Sequence, residues 1–306
     1  EIMNITESVS VMRAGKVVAN LKTNNTSPEE LAEKMVGRKV LLTIDKKEPK
    51  IGNKVLSVQN LNHSSKEGVQ MLKNISFSIS QGEILGVAGV AGNGQSELLD
   101  ILSGIEQLQS GEIQINQTKV LPGEKWDPKK VREIGMAHVP EDRQQRGLIL
   151  PFCSYENSIL GYQRKEKYSS GFLLDKNKIL KFSAETAEQF DVRPRDPHIA
   201  SSKLSGGNQQ KLVLAREIES QPKILLIGQP TRGVDIGAIE RIYEDLIRMK
   251  ESGVAILLVS VELDEIMSLS DRIITMNQGK IVGEIMGSEA TEIELGKMMS
   301  GLDRAT

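Results

Sequence analysis

One octapeptide governs the interpretation of this sequence: Leu204-Ser205-Gly206-Gly207-Asn208-Gln209-Gln210-Lys211. The apolar residues after it recur with helical spacing, so we expect a helix over residues 212–218. Ser205 has the side chain of a helix N-cap, and Gly206 and Gly207 let a ligand approach the backbone closely. Free N–H groups and the positive end of the helix dipole would then face an anion such as a phosphate. An ordinary Ser-Gly-Gly turn is the alternative.

A second glycine-rich stretch lies upstream, directly after an apolar run at residues 84–88 that fits a buried strand. Its residues are Gly89, Val90, Ala91, Gly92, Asn93, Gly94, Gln95, Ser96 and Glu97. Glycines and a hydroxyl in this order, before an apolar helix, are typical of a loop whose backbone N–H groups cradle phosphates. The usual lysine is replaced by Gln95, which donates hydrogen bonds but carries no charge. A tight strand-to-helix turn without a ligand is the alternative.

In this order and spacing, the two glycine-rich stretches and a strand followed by Gln-Pro-Thr resemble the ATP-binding cassette (ABC) ATPases. The closest resemblance is to the second half of the tandem ATPases in bacterial nucleoside importers. It rests on Gly92-Asn93-Gly94-Gln95-Ser96-Glu97, Pro140-Glu141-Asp142-Arg143, Gln229-Pro230-Thr231-Arg232-Gly233 and Glu262-Leu263-Asp264-Glu265. Importers of the ribose or galactose type are the near alternative, because the ATPase never touches the solute.

The resemblance implies an α/β fold of the P-loop NTPase class, an ABC cassette with a small antiparallel β portion. It also implies a helical lobe at about residues 147–220, which leads to the signature. ATP is the implied nucleotide, bound by the loop at residues 89–97. A non-catalytic scaffold for a neighbouring cassette is the competing function.

The resemblance also assigns roles to three further groups of residues. It makes Leu204, Ser205, Gly206, Gly207 and Asn208 the signature, which contacts the ATP of a partner cassette. It makes Glu141, Asp142 and Arg143 a loop that couples to the membrane subunit, with a solvated charged loop as the alternative. Asp235 keeps the position of a contact across the cassette dimer.

Four positions lack the side chain that the family uses for catalysis: Gln95, Gly228, Gln229 and Val261. Gly228 cannot hold a Mg²⁺-bound water, Gln229 cannot take a proton as a general base, and Val261 cannot bind the γ-phosphate as a histidine would. Ser96 remains as the candidate metal ligand, so Mg²⁺ is not expected to bind firmly at this copy's own site. We therefore expect no intact catalytic residue and negligible hydrolysis by this chain alone.

An internal repeat suggests how the chain is organised. Glu1-Ile2-Met3 recurs as Glu265-Ile266-Met267, and ungapped matches at the same offset of 264 continue to Gly37 and Gly301. Both copies predict two strands around a Gly-Lys turn and then a helix. The interpretation is a preceding cassette that ends in residues 1–43, a linker at residues 44–54 and a cassette at residues 55–306. Chance similarity of two hairpins is the alternative.

The amino-acid composition restricts which classes of partner the chain can bind. The 306 residues carry 39 basic and 41 acidic side chains, a net charge of −2 and 3% aromatics, which provides no footprint for nucleic acid. No apolar run approaches the roughly 20 residues that span a bilayer, so a membrane role must come through partners. The single cysteine, Cys153, suits a reducing compartment.

The resemblance names those partners. They are the preceding cassette, two transmembrane permease subunits and, indirectly, a substrate-binding lipoprotein. The implied location is the cytoplasmic face of the plasma (inner) membrane, as a peripheral subunit. Phe152 and Tyr155 either dock a membrane subunit or fill the core of the helical lobe. His63 lies near the position where many cassettes stack an aromatic ring on adenine, and a plain turn residue is the alternative.

Overall fold

The computed structural model describes residues 2–13, 15–37, 50–170 and 173–301. Its strands are β1 (Ser8–Arg13), β2 (Lys16–Lys22), β3 (Lys54–Ser64), β4 (Gln70–Ser80), β5 (Ile84–Ala88), β6 (Ser110–Ile115), β7 (Thr118–Val120), β8 (Met136–Val139), β9 (Ser169–Ser170), β10 (Leu173–Leu174), β11 (Ile224–Gly228), β12 (Ala255–Ser260), β13 (Arg272–Asn277) and β14 (Lys280–Met286). Its helices are α1 (Ile2–Ile5), α2 (Pro28–Val36), α3 (Gln95–Leu102), α4 (Pro128–Glu133), α5 (Ser154–Asn157), α6 (Lys176–Gln189), α7 (Gly206–Ile218), α8 (Ile236–Glu251), α9 (Leu263–Leu269) and α10 (Glu292–Met299).

The predicted linker at residues 44–54 lies largely outside the described residues, as do residues 38–43 of the segment before it.

A six-stranded sheet in the order β14-β13-β5-β12-β11-β8 forms the centre of the molecule. Its strands are parallel except for β14, which pairs with β13 in an antiparallel manner. Every residue of β5, β11 and β12 is buried, as continuous apolar strands require when both faces of a parallel sheet are covered. The loops after β5 and β11 therefore emerge at the same edge of the sheet, where ligands bind in open α/β folds.

The predicted small antiparallel portion is also present, as a sheet in the order β4-β3-β6-β7. Leu56, Leu61 and Ile75 of its two long strands are fully buried in the same apolar cluster as α3. Trp126 closes this cluster, and its indole N–H donates to the carbonyl of Ile101 over 2.7 Å. The α/β cassette fold predicted from the sequence is confirmed.

A small helical lobe built around α5 and α6 has its own apolar cluster, which includes Tyr162 and Ile179. The hydroxyl of Tyr162 donates to a carboxylate oxygen of Glu217 over 2.5 Å, and Glu217 also pairs with Arg216 at 2.8 Å. Both members of this ion pair lie on α7 and are buried. Removing one partner of a buried pair is costly, so this network holds the lobe firmly on α7.

The first and last supersecondary units have the same architecture. In the first, β1 and β2 form a hairpin followed by α2; in the last, β13 and β14 form a hairpin followed by α10. The strand bounds and the residue pairing of the two hairpins coincide at an offset of 264. Even the irregularity in pairing recurs, between Val11 and Met12 in one hairpin and between Thr275 and Met276 in the other.

The two hairpins differ in what lies beside them. β13 pairs with β5 along its second edge, whereas β1 pairs only with β2 among the described strands. A groove of about 550 Å³ lies beside β1, and its lining includes Ile2, Leu31 and Met35. Met12 of β1, which also lines the groove, is 63% exposed, while its counterpart Met276 is fully buried. The apolar surface beside the first hairpin is therefore open, whereas the equivalent surface of the last hairpin is buried.

Within the described ranges, no helix is both long enough and apolar enough to cross a membrane.

Candidate nucleotide site

The glycine-rich loop after β5 runs directly into α3. Gly92 (φ +88°) and Gly94 (φ +103°) have backbone conformations that side chains with a Cβ rarely adopt. At Gly94 a Cβ would lie 2.9 Å from the carbonyl oxygen of Met71, whereas at Gly92 it would meet no atom within 4 Å. Gly94 therefore permits close packing, and Gly92 keeps the outer side of the loop open to a ligand.

Asn93 anchors this loop to the turn between β13 and β14. Its side-chain oxygen accepts from the backbone N–H of Gln278 over 3.0 Å, and its carbonyl accepts from Gly279 over 3.2 Å. The side chain of Asn93 thus holds the loop in place from behind. Glu97, in the first turn of α3, is partly exposed.

Gln95 stands where the resemblance leads one to expect a lysine, and its side chain folds back into the loop. The side chain is 4% exposed, and its amide nitrogen donates to the carbonyl of Val90 over 3.3 Å. A Cβ on Gly89 would lie only 2.2 Å from that nitrogen. The Gln95 amide therefore fills the inside of the loop and adds no positive charge to its outer side.

A cleft of about 420 Å³ opens at the C-terminal edge of the central sheet. Residues of the glycine-rich loop, of the loop after β8 and of the segments after β11 and β12 line it, among them Gly92, Gln95, Ser96, Glu141, Gln229 and Val261. The structure thus brings three of the four altered positions into one cleft. The fourth, Gly228, lies beneath the side chain of Glu141, where an added Cβ would be 2.4 Å from Cγ of that residue.

Glu141 also contacts the hydroxyl of the glycine-rich loop. The Ser96 hydroxyl donates to Oε2 of Glu141 over 2.5 Å. Sequence reasoning did not anticipate this pair, since the two residues lie on different loops and no spacing rule connects them. The carboxylate therefore faces the glycine-rich loop directly.

The positions expected to hold the general base and to contact the γ-phosphate carry an amide and an isopropyl group. Gln229 is 7% exposed and is held by a backbone hydrogen bond of 2.8 Å to the carbonyl of Val259. Val261 lines the cleft with an apolar side chain and is 41% exposed. Neither an amide nor an isopropyl group accepts a proton at neutral pH.

The signature helix begins as the sequence predicts. Ser205 caps α7, and its hydroxyl oxygen accepts from the backbone N–H of Asn208 over 3.4 Å and from the side-chain amide of Asn208 over 2.8 Å. The side-chain oxygen of Asn208 in turn accepts from the backbone N–H of Arg193 over 2.7 Å. Leu204, just before the cap, is buried in the core cluster below the helix. These contacts fix the N-terminal turn of α7, whose first N–H groups point outward.

The two signature glycines have different surroundings. A Cβ on Gly206 would lie 2.4 Å from a guanidinium nitrogen of Arg143, whereas the nearest atom to a Cβ on Gly207 is Oδ2 of Asp235 at 3.7 Å. Arg143 also donates to the carbonyl of Arg232 over 2.8 Å. Gly207 is thus the signature glycine with room for a side chain.

The three charged residues after β8 do three different things. Glu141 faces the cleft, and Arg143 reaches the signature helix. Asp142 accepts from the backbone N–H groups of Gln144 and Gln145 at 2.9 and 3.0 Å and so caps the π-helical turn that follows. Asp235 caps α8 in the same way, by accepting from the N–H of Ala238 over 3.0 Å.

Of the three residues whose role the sequence left open, His63 departs from both interpretations. It lies in β3, paired with Leu72, and is 7% exposed, so it is neither a turn residue nor a platform for adenine. Its alternating position in a strand was the available signal. Phe152 is 40% exposed, and Tyr155 is partly buried against the lobe core. Both line a groove of about 320 Å³ on the lobe.

A buried carboxyl group, Glu265, lies in α9 behind the cleft. It is 1% exposed, and neither oxygen has a hydrogen-bond partner within the described part of the chain. Burial raises its pKa to about 7, against a smaller lowering by the nearby hydroxyls of Ser260 and Thr231. The folded protein therefore holds a proton on this group that the unfolded chain releases at lower pH.

We expect the free energy of unfolding to fall as pH rises from about 4.5 to about 7, because the unfolded chain loses this proton first. Glu265→Gln, which stays neutral, should remove about 3 kcal/mol of that decline. Urea unfolding at several pH values measures it, with Glu289→Gln, a change at an exposed position, as the matched control. An identical pH profile for wild type and Glu265→Gln would contradict the assignment.

Comparison with known proteins gives a consistent picture. The family model described as "ABC transporter" matches residues 72–232. The chain is 40% identical over 297 residues to the guanosine import ATP-binding protein NupO of Bacillus subtilis, covering 97% of this chain and 58% of the relative. It is 40% identical over 301 residues to the nucleoside import ATP-binding protein NupA of Lactococcus lactis subsp. cremoris, covering 98% of this chain and 59% of the relative. The chain thus spans less than two thirds of either relative.

Among solved structures, the dimeric structure of MJ0796, a bacterial ABC transporter cassette, superposes with a TM-score of 0.66 at 25% identity. The superposition covers 76% of this chain and 98% of that cassette.

Proposed function

This chain belongs to the ABC transporter family, and from that premise we propose that it forms the second, degenerate nucleotide-binding half of a tandem importer ATPase. Its signature completes the ATP site on the first half, while its own loop lacks the catalytic side chains. One contrast carries the proposal. The signature helix is capped and ordered, but Gln95, Gln229 and Val261 stand in the cleft where charge and proton transfer are needed.

The first hairpin supports a preceding cassette in the same chain. An unpaired strand edge beside an apolar groove is a liability in a folded protein, and native structures normally cover it. In the last unit, β5 covers the equivalent edge of β13. A cassette before β1 would supply the same strand at that place. The repeat at an offset of 264 and the greater length of both relatives agree with this arrangement.

ATP is the nucleotide of this family, typically with Mg²⁺. The open outer side of Gly92 and the free N–H groups at the start of α3 fit phosphate oxygens. Ser96 lines the cleft and is the candidate metal ligand, and Glu141, Asp142 and Glu262 are the carboxylates that line it. The metal would neutralise phosphate charge, a task that the uncharged Gln95 cannot perform.

The lobe groove supports a membrane partner. It presents Phe152, Tyr155 and Leu174 side by side on the surface, which suits an apolar segment of another protein. We assign it to a permease subunit, so that the ATPase sits peripherally on the cytoplasmic face of the inner membrane. A substrate-binding lipoprotein would act through the permease only. The names of the two relatives favour a nucleoside as the solute, with ribose or galactose as the alternative.

Uptake of labelled guanosine by cells that lack the gene tests this function. Complementation with the full-length protein should restore uptake, and Phe152→Glu should lower it at least tenfold and release the permease during purification, because a charge would enter the apolar groove. Ile293→Glu, on α10 and 70% exposed, is the matched control and should behave as wild type.

Uptake that is indifferent to the presence of the gene would refute the importer function. Restored uptake of labelled ribose or galactose instead of guanosine would refute only the choice of solute. Equal effects of Phe152→Glu and Ile293→Glu would refute the docking groove.

A further inference from the structure

Resting on the proposed function, we propose that helix α2 of the first supersecondary unit fixes the position of Asp235 beside the signature by packing on the first turn of α8. Val36 of α2 and Gly237 of α8, which form this contact, are then positioning residues for ATP turnover on the first half. The first half thereby supports, through α2, the signature that faces its own nucleotide.

The contact between α2 and α8 is close. A Cβ on Gly237 would lie 3.3 Å from Cγ1 and 3.5 Å from Cγ2 of Val36. Gly237 is inside a regular helix and is not required by a positive φ. Because glycine weakens a helix relative to alanine, the approach of Val36 is a physical reason for glycine at this position. The neighbouring Ile236 lines the groove beside β1 together with Leu31 and Met35 of α2.

Helix α2 is held firmly on its own unit. Leu31 and Ala32 of α2 are buried, as is Val11 of β1, the strand on which α2 packs. Ser27 caps the start of the helix, and its side chain accepts from the backbone N–H of Glu30 over 3.2 Å. A capped helix with a buried inner side moves together with its hairpin, so α2 can serve as a fixed support for α8.

The counterpart of α2 in the last unit differs on the side that meets α8. The offset of 264 residues aligns Leu31 of α2 with Leu295 of α10, which is fully buried. The same offset aligns Val36 with Ser300, which is exposed. The inner residue is therefore identical in both copies. The residue at the end of the helix is apolar in the copy that packs on α8 and polar in the copy that presents it to solvent.

Asp235 links this contact to the signature. Its Oδ1 accepts from the backbone N–H of Ala238 over 3.0 Å and would lie 3.4 Å from a Cβ on Gly237. Its Oδ2 is the nearest atom to a Cβ on Gly207, at 3.7 Å. One carboxylate thus spans the start of α8 and the signature, so a shift of the first turn of α8 moves both. A misplacement of about 1 Å in a catalytic arrangement can cost on the order of 100-fold in rate.

Gly237→Val in the full-length ATPase, assembled with its permease, tests the contact, because the branched side chain would meet Val36. We expect kcat for phosphate release to fall about 10- to 100-fold. The KM for ATP should change less than threefold, since the first half's own loop holds the nucleotide in the proposed arrangement. Gly296→Val is the matched control. It also places a valine in a helix, α10, but a Cβ there meets no atom within 4 Å, so it should behave as wild type.

A compensating substitution separates positioning from folding. Val36→Ala removes the two methyl groups nearest to residue 237 and should raise the kcat of Gly237→Val at least fivefold. Spin labels at Glu33→Cys and Glu244→Cys, two exposed positions, report the distance between α2 and α8 independently of turnover once all other cysteines are replaced. Gly237→Val should lengthen or broaden this distance, and Val36→Ala should return it towards that of the wild type.

The failure of this contact and the failure of the proposed function give different results. If Gly237→Val leaves kcat and the label distance unchanged, or if Val36→Ala restores neither, the positioning role of α2 is refuted and the proposed function stands. Equal effects of Gly237→Val and Gly296→Val also refute it. If Gly207→Asp, which changes the signature directly, leaves phosphate release intact, the proposed function is refuted together with this contact's role in turnover.

Discussion

Gly207→Asp is expected to reduce phosphate release by the full-length ATPase, assembled with its permease, at least 100-fold. In the proposed arrangement, the N–H groups of the signature face the γ-phosphate bound on the first half. Charge-assisted hydrogen bonds there contribute about 1.5–3 kcal/mol each, and a carboxylate would replace this attraction by repulsion. Gly207 is the appropriate position because a Cβ there meets its nearest atom at 3.7 Å, so the chain should still fold. At Gly206 the new carboxylate would instead meet the guanidinium of Arg143.

Gln95→Ala in the same protein is the comparison, and it should change turnover less than threefold. Both substitutions lie in this half. Gly207→Asp would face the nucleotide bound on the first half, whereas Gln95→Ala changes this half's own glycine-rich loop. If Gln95→Ala abolishes phosphate release and Gly207→Asp leaves it intact, the division of labour between the two sites is the reverse of the one proposed.

This chain by itself is expected to hydrolyse ATP far more slowly than the roughly 1 s⁻¹ of an ordinary enzyme. Loss of one transition-state donor typically costs about 10²–10³ in rate, and loss of a general base a comparable factor. Gln95, Gln229 and Val261 remove several such groups from one cleft, although such losses are not additive. Phosphate release by chain purified away from other ATPases measures the rate.

A matched control shows how much of the measured rate comes from contaminating ATPases. A variant with Ser96→Ala, purified identically, should give the same background. Turnover near 1 s⁻¹ that Ser96→Ala abolishes would mean that this half is catalytic after all.

Hydrophobic periodicity and local motifs predicted the strands and helices well, because these elements form between residues that are close in sequence. The apolar run at residues 84–88 became the central strand β5, and Ser205 became the cap of α7 as its position before an apolar-periodic run indicates. The glycine-rich loop at residues 89–97 lies at the cleft, and its role in binding phosphate stays a prediction.

The contacts that define the site were beyond the sequence because they join separate loops. The hydrogen bond between Ser96 and Glu141 links the start of α3 to the segment after β8, and no local pattern records it. For the same reason Gly228 looked like a simple loss, whereas in three dimensions it makes room for Glu141. The burial of Glu265 likewise depends on how α9 packs against its neighbours, and its charged side chain gave no hint of it.

The chain contains two hairpins with the same strand pairing, so either hairpin has a backbone that could dock beside β5 during folding. If β1 took the place of β13 beside β5, Ser10 would replace the fully buried Ile274, and Lys34 would replace Met298, which is 5% exposed. Ser10 would leave much of the volume of Ile274 unfilled, and burying the ammonium group of Lys34 costs more than the roughly 1–3 kcal/mol of a neutral polar group. The two hairpins have matching backbones but different side chains, and this difference disfavours the exchange of one hairpin for the other. The duplicated hairpin is kept from misfolding by its sequence and not by its shape.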